Sequence, residues 1–573
     1  MKRIVSLAMA VVLLSSCTLK SDSDRFKEYT DSYFQAALMS NGITFNYTLR
    51  NPENYGITVY PTTLGRYSVP DEEIENTDEK TVLDELAEYD YEKLTEEQKI
   101  LYNLIKYRYE LSLEAEGLEY YSEPLKAYSG THTLLPTLFS EFRIDDMNDA
   151  EQYLSLVADI PLYFDSIIAF EQKKSENGLF MSDDNVDVVI SDCENAIKNI
   201  GIMYTSFEDR INNSDFTEEE KSDLIARNKA VVDEVFESSY KKLITELKKL
   251  KGTGTHYDSI SELPEGKRYY EYLVKSSTGT EYSVDEIIEM LDEDIEKYRQ
   301  DFFAIATEYP DEYRSENYGM EYAVSDPYEV MDYLYTNMGK DYPVVPDYSA
   351  NIKYTDGKSS TAPAYYIKAP IDSADEAVIY INQERYGSDT YNVVAHEGTP
   401  GHMYQNLYFS GVCNEPLRYL FSFDGYTEGW AAYVERESYY YAGENSDAAV
   451  GLTVSNSMYT LALITRTDIG VNYEGWTIDE CDDFYEKYNL TPATSEYYYN
   501  IVRKSPANYL SYYLGYRKIT DMRAWAEEEL RSYFNLRDFH KVILDAGPVP
   551  LEFLDEIVGE YIETTLAEHK REN

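Results

Sequence analysis

Apolar residues recur at three- and four-residue intervals among charged ones over Asp78 to Glu116, Asn148 to Lys174, Asp184 to Glu208 and Thr217 to Leu250. That spacing places one apolar stripe along a helix and predicts amphipathic helices packed on a core. Thr217, with Glu220 three residues on, forms a capping box that starts the last of them. The same period predicts helices over Ser283–Thr307, Tyr328–Asn337, Tyr391–Tyr408, Arg418–Tyr441, Ala448–Thr465, Pro506–Phe534 and Leu551–His569. One stretch departs from it. Ala364–Ile367 and Ala377–Ile381 read as two short strands around a Pro-Ile-Asp-Ser-Ala-Asp turn, either a structural hairpin or an edge that accepts an extended chain by strand addition. The fold expected is mainly α with a small β-sheet. A soft boundary lies in Asp347–Ser360, where Pro, Gly, Ser and Thr cluster, with a helical N-terminal lobe over 25–350 and a second lobe over 351–573.

The N-terminus changes the picture of where the protein works. Lys2 and Arg3 precede an apolar run from Ile4 to Leu14, too short for a permanent span, which needs about 20 residues. Leu14-Ser15-Ser16-Cys17 resembles a bacterial lipobox, so 1–16 is expected to be a signal peptide, Cys17 the lipidated residue and 17–24 a tether. Acyl chains on Cys17 would anchor the body to the cell membrane, facing the extracytoplasmic side. No other segment reads as a membrane span. Cys193, Cys413 and Cys481 then remain, too widely spaced for a disulfide framework or a cysteine metal site, and are expected to be buried small hydrophobes.

Lysine and arginine number 51 against 106 acidic residues, a net charge of −55. Such a charge argues strongly against nucleic acid as a partner, since its phosphates need cationic contacts. The charge permits a cationic substrate, and it also serves solubility. The sixty tyrosines, many at helical spacing, suit positions that bury a ring face and keep the hydroxyl wet.

The chemistry concentrates in His396-Glu397-Gly398-Thr399-Pro400-Gly401-His402. Two of only six histidines fall in this window, beside a carboxylate. Two histidines, a further carboxylate and a free glutamate are what a catalytic zinc site needs. The spacing is i and i+6, about 240° apart on an unbroken helix, which by itself opposes a shared ion. Pro400 cannot donate to the carbonyl of His396, and Gly401 can take backbone angles closed to other residues. Together they are expected to distort the helix and bring His402 back towards His396. A carboxylate from a later helix should complete the set. Glu428, 26 residues after His402, opens Glu428-Gly429-Trp430-Ala431-Ala432-Tyr433-Val434-Glu435, and Gly429 leaves room for another helix or a ligand. Spacing alone leaves Glu435 and Glu437 as rivals, although Glu435 reads better as part of a solvated face.

These motifs, H-E-x-x-P-G-H and then E-G-W-A-x-Y-x-E, resemble those of the bacterial family called domain of unknown function 885. The similarity runs from the helical region near Tyr89 to Gly547-Pro548-Val549-Pro550-Leu551. It implies a large, two-lobed, helical zinc-peptidase-like fold with a deep cleft, the small sheet beside the metal helix, and one Zn2+ per chain on His396, His402 and Glu428. Tyr512 matches a family tyrosine and is the candidate donor to an oxyanion. Asn508 stands where the family has glutamine. His540 lies in a stretch the family tends to keep, as a cleft residue or a satisfied structural histidine.

The function expected is a lipid-anchored zinc metallopeptidase acting on peptide substrates, with Glu397 as general base. Alternatives are a peptide-binding lipoprotein without catalysis and a zinc hydrolase of a non-peptide amide or ester. Glu397 separates the first two, since a pure binding module needs no base beside a metal ligand.

Overall fold

A computed structural model describes residues 20–67, 79–126, 130–254, 259–345, 350–355, 364–374, 377–382 and 390–572. The signal segment and Cys17 lie outside these residues. Ser21 caps a helix over Asp22–Met39, so the expected tether becomes helical by Asp22. The chain forms two compact units: Met1–Asp258 with Pro370–Ser373 and Glu415–Leu420, and Ser259–Ala369 with Ala374–Asn414 and Phe421–Asn573. The 350/351 boundary read from sequence falls inside the second unit.

The first unit is helical. Met147–Glu176 packs on Glu218–Leu250, and the Thr217–Glu220 capping box is formed. Two expected long helices are split by local signals. The 78–116 span divides into Glu79–Leu86 and Glu96–Glu114, because Thr95 and Gln98 start the second with their own capping box. The 184–208 span divides at Asn199–Ile200. Buried aromatics fill the core, with Tyr153–Phe207 and Phe236–Tyr240 centroids each 4.7 Å apart. Cys193 is buried here, as Cys481 is in the second unit, whereas Cys413 is half-buried.

The second unit pairs helices with one another and carries a three-stranded sheet of order β1-β3-β2. β1 (Ala350–Thr355) runs parallel to β3 (Ala377–Asn382), and β2 (Ala364–Ile367) antiparallel to it with Tyr365 opposite Tyr380. The two expected strands are present. β1 escaped the period-2 reading because only Ile352 of its six residues is buried. The helices that carry the site are α1 (Thr390–Glu397), α2 (His402–Val412), α3 (Asp424–Ser438), α4 (Asp447–Ile469), α5 (Asn508–Leu530) and α6 (Leu536–Ala546). Helices α3 and α5 cross at glycine: a Cβ on Gly429 would stand 2.4 Å from the Gly515 α-carbon, and one on Gly515 1.9 Å from the Gly425 carbonyl oxygen. The room left by Gly429 is therefore filled by another helix.

Met147–Glu176, and α4 with its continuation to Glu474, are long and apolar enough to cross a membrane by length and composition, contrary to the reading from sequence. Half or more of each apolar stretch is buried inside the protein, which accounts for its composition. Several tyrosines behave otherwise than expected. Tyr240, Tyr391 and Tyr426 are buried and donate to the backbone carbonyls of His132, Ser438 and Ile543 at 2.8–3.0 Å. They act as large core side chains whose hydroxyls satisfy neighbouring backbone.

Candidate metal centre

Helix α1 ends at Glu397. The Gly398 amide still bonds the Val394 carbonyl at 2.9 Å, and then the chain breaks over 398–401 before α2 opens at His402. The continuous helix expected over Tyr391–Tyr408 is thus two helices, a stronger interruption than a distortion. The turn closes so tightly that a Cβ on Gly401 would lie 1.7 Å from the His396 carbonyl oxygen. Buried Trp430 on α3 holds it, donating from Nε1 to the Pro400 carbonyl at 2.9 Å.

The turn brings the imidazoles together, with ring centroids 4.9 Å apart and planes at 89°. Glu428 Oε2 stands 3.5 Å from His396 Nε2 and 3.3 Å from His402 Nε2. One ligand atom from each residue lies within 4.8 Å of the others, the one such group of three found among the described residues. Two tests favour a metal. Zinc ligands about 2.0–2.1 Å from a tetrahedral ion are about 3.3 Å apart, close to the separations from Glu428. Glu428 Oε2 is also buried and faces both imidazoles without a well-aligned hydrogen bond to either, a geometry that suits a shared ion. Two imidazole nitrogens and one carboxylate oxygen suit zinc.

Sequence reasoning missed the residue behind His396. Glu435 Oε2 lies 3.1 Å from His396 Nδ1, so Glu435 is an orienting carboxylate and not part of a solvated face. Its position i+7 from Glu428, two helical turns along the same face, was the available signal. Glu437, the other rival, is engaged by Arg523 at 2.9 Å. In the metal-free protein, burial would lower the His396 pKa, but pairing with the Glu428 and Glu435 carboxylates outweighs it and raises the group to about 10. Burial would raise Glu428, yet His402 and His396 hold it well below the usual carboxylate range.

The triad borders a cavity of about 370 Å³ whose wall also includes Glu397, Tyr512, Lys368 and Asp424. Tyr512, on α5, stacks on His396 with centroids 6.1 Å apart at 17°. Burial first, then the charges of Glu428 and Glu397, hold its hydroxyl protonated well above the ordinary tyrosine value. Lys368, beyond the end of β2, is accessible to water but hemmed in by protein. That desolvation lowers its ammonium pKa, against the opposing pull of Asp424 and Glu428. Neither Lys368 nor Asp424 was singled out in the sequence, because no motif marks them.

His540 does not reach the cavity. It is fully buried on α6, with Nδ1 2.7 Å from the Asp341 carbonyl oxygen and Nε2 3.0 Å from the Tyr433 hydroxyl. Burial lowers its pKa to about 3, and its ring packs against Tyr342 and Trp430. It is a satisfied structural histidine behind the residue that holds the turn. Asn508 is exposed at the start of α5 and is not among the cavity's lining residues.

Residues 53–558 match the family described as bacterial protein of unknown function, DUF885. The chain belongs to this family. Two solved structures share the fold of this DUF885 protein. A "putative lipoprotein" from Colwellia psychrerythraea superposes with a TM-score of 0.78 at 18% identity, over 95% of this chain and 100% of its own. A "putative lipoprotein of unknown function" from Shewanella oneidensis gives 0.64 at 16%, over the same shares. No curated protein matches the chain.

Proposed function

We propose that this DUF885 protein is a zinc-dependent peptidase, held by lipid on Cys17 at the extracytoplasmic face of the cell membrane. The observation that carries the reading is the convergence of His396, His402 and the buried Glu428 oxygen on one point, with Glu397 in the wall of the same cavity. Zinc held there would supply Lewis-acid chemistry, polarising a carbonyl and lowering the pKa of a water towards neutrality. Glu397 takes the proton from the attacking water and delivers it to the departing amine. Tyr512, kept protonated by its surroundings, donates to the oxygen that gains charge, a role whose loss costs about 2.7–4 kcal/mol. Glu435 holds the His396 Nδ1 proton and leaves Nε2 free as a ligand. The lipid anchor is supported by the lipobox-like Leu14–Cys17 and by the descriptions of both structural neighbours.

The test pairs metal analysis with hydrolysis of a peptide library by wild type and Glu397→Gln. About one zinc per chain in both proteins, with cleavage only by wild type, is the expected result. Cleavage by Glu397→Gln removes Glu397 from the mechanism. Wild type that takes up no zinc turns the reading to a peptide-binding lipoprotein. For the anchor, Cys17→Ala should abolish incorporation of a labelled fatty acid.

A further inference from the structure

Among the described residues lining the cavity, Lys368 is the only lysine or arginine, in a wall that also carries Glu397, Asp424 and Glu428. Asp424 and Glu428 act on its ammonium through space, and no described residue forms an ion pair with it. Other cations of this unit are neutralised at contact distance, Arg517 by Asp294 at 2.7 Å and Lys518 by Asp555 at 2.6 Å among them. A cation in the wall of a recess that no described residue contacts is available to a ligand.

The backbone that carries it is tied to the helix of the triad. The Tyr366 hydroxyl donates to Asn406 Oδ1 at 3.0 Å and accepts from the Ala369 amide at 3.2 Å. Asn406 lies one helical turn after His402 on α2. The residues on either side of Lys368 are therefore tied to the helix that presents a metal ligand. Anions approach this chain against a net charge of −55, so an anionic substrate group needs a local cation.

We propose that Lys368 is the carboxylate receptor of the site, so that substrates place a carboxylate on its ammonium while their scissile bond lies at the triad. The carboxylate comes from the C-terminus of a peptide or from an acidic side chain. This inference rests on the reading of the cavity as a peptide site, and its test does not depend on turnover.

Binding is measured on full-length body carrying Glu397→Gln, with and without Lys368→Met or Lys368→Arg. The probes are acetyl-tri-alanine as free acid, its C-terminal amide, and acetyl-Ala-Glu-Ala-amide. The free acid should bind about 10- to 150-fold more tightly than the amide when Lys368 is present, the range for one charged hydrogen bond. Lys368→Met should erase that difference and Lys368→Arg keep most of it. Equal gain from the internal glutamate identifies the side chain as a source; gain confined to the free acid identifies the terminus. An acid preference that survives Lys368→Met, or no binding of either carboxylate probe, overturns the proposal. If carboxylate binding follows Lys368 while wild type cleaves no peptide, the receptor stands and the peptidase reading falls.

Discussion

Replacing Glu435 should weaken the metal site without touching a ligand. The His396 Nδ1–Glu435 Oε2 contact of 3.1 Å is a hydrogen bond to a charged group, and such bonds contribute about 1.5–3 kcal/mol. That corresponds to roughly 10- to 150-fold in a binding constant, in line with the 10- to 100-fold typical of carboxylates behind metal-ligating histidines. Part of the loss is returned, because Glu435 also helps hold a proton on His396 in the metal-free protein, and zinc must displace that proton. The expected net loss for Glu435→Leu is therefore about tenfold, with Glu435→Gln smaller because its amide oxygen still accepts from Nδ1. Zinc affinity is measured by competition with a chromophoric chelator at pH 7, alongside His402→Ala as the ligand-loss reference. Far-UV circular dichroism checks that Arg436, 3.9 Å from the same oxygen, has not unsettled α3. Zinc affinity of Glu435→Leu within twofold of wild type would refute the orienting role.

Gly401→Ala should abolish stoichiometric zinc binding with secondary structure retained, because its Cβ would meet the His396 carbonyl at 1.7 Å. Gly201→Ala, which meets nothing within 4 Å, should leave stability within about 1 kcal/mol. A second prediction concerns pH. Glu171 is fully buried with neither carboxylate oxygen hydrogen-bonded, and burial, against the pull of Lys174, raises its pKa from 4.5 to about 7. The folded state then binds the proton more tightly, so stability falls as pH rises from about 4.5 to 7 and the full penalty, about 3 kcal/mol, applies above that. Glu171→Gln should accordingly raise the urea midpoint at pH 8 and leave it nearly unchanged at pH 4. An equal shift at both pH values would show that ionisation is not the cause.

The helical character and the Thr217 cap were legible because they depend on local spacing and on a side chain three residues from its partner. The strand pair 364–367 and 377–382 was legible for the same reason. β1 was not, since its pairing partner supplies the register and its own residues carry one buried apolar side chain. At the site, His396, His402 and Glu428 could be proposed from residue type and motif, but not the means of joining them. Pro400 and Gly401 announced an interruption, whereas the Trp430 hydrogen bond that secures it spans 30 residues. Glu435 was weighed the wrong way round, and His540 was left open between two roles, for one physical reason. Whether a polar side chain faces a cavity, a ligand or a backbone carbonyl is settled by tertiary packing, and composition in so acidic a chain favours reading any glutamate as solvated.

The hydroxyl of Tyr366 gives the cavity wall an anchor point. Because it joins the chain on either side of Lys368 to the helix of His402, the backbone that carries the cation is held beside the triad, and only the flexible four-carbon stem of the lysine adjusts. If Lys368 receives a substrate carboxylate, molecules should be sorted by whether that carboxylate falls within the reach of the stem, and one too long or too short for it should be discriminated against more sharply than one with a different side chain at the same spacing.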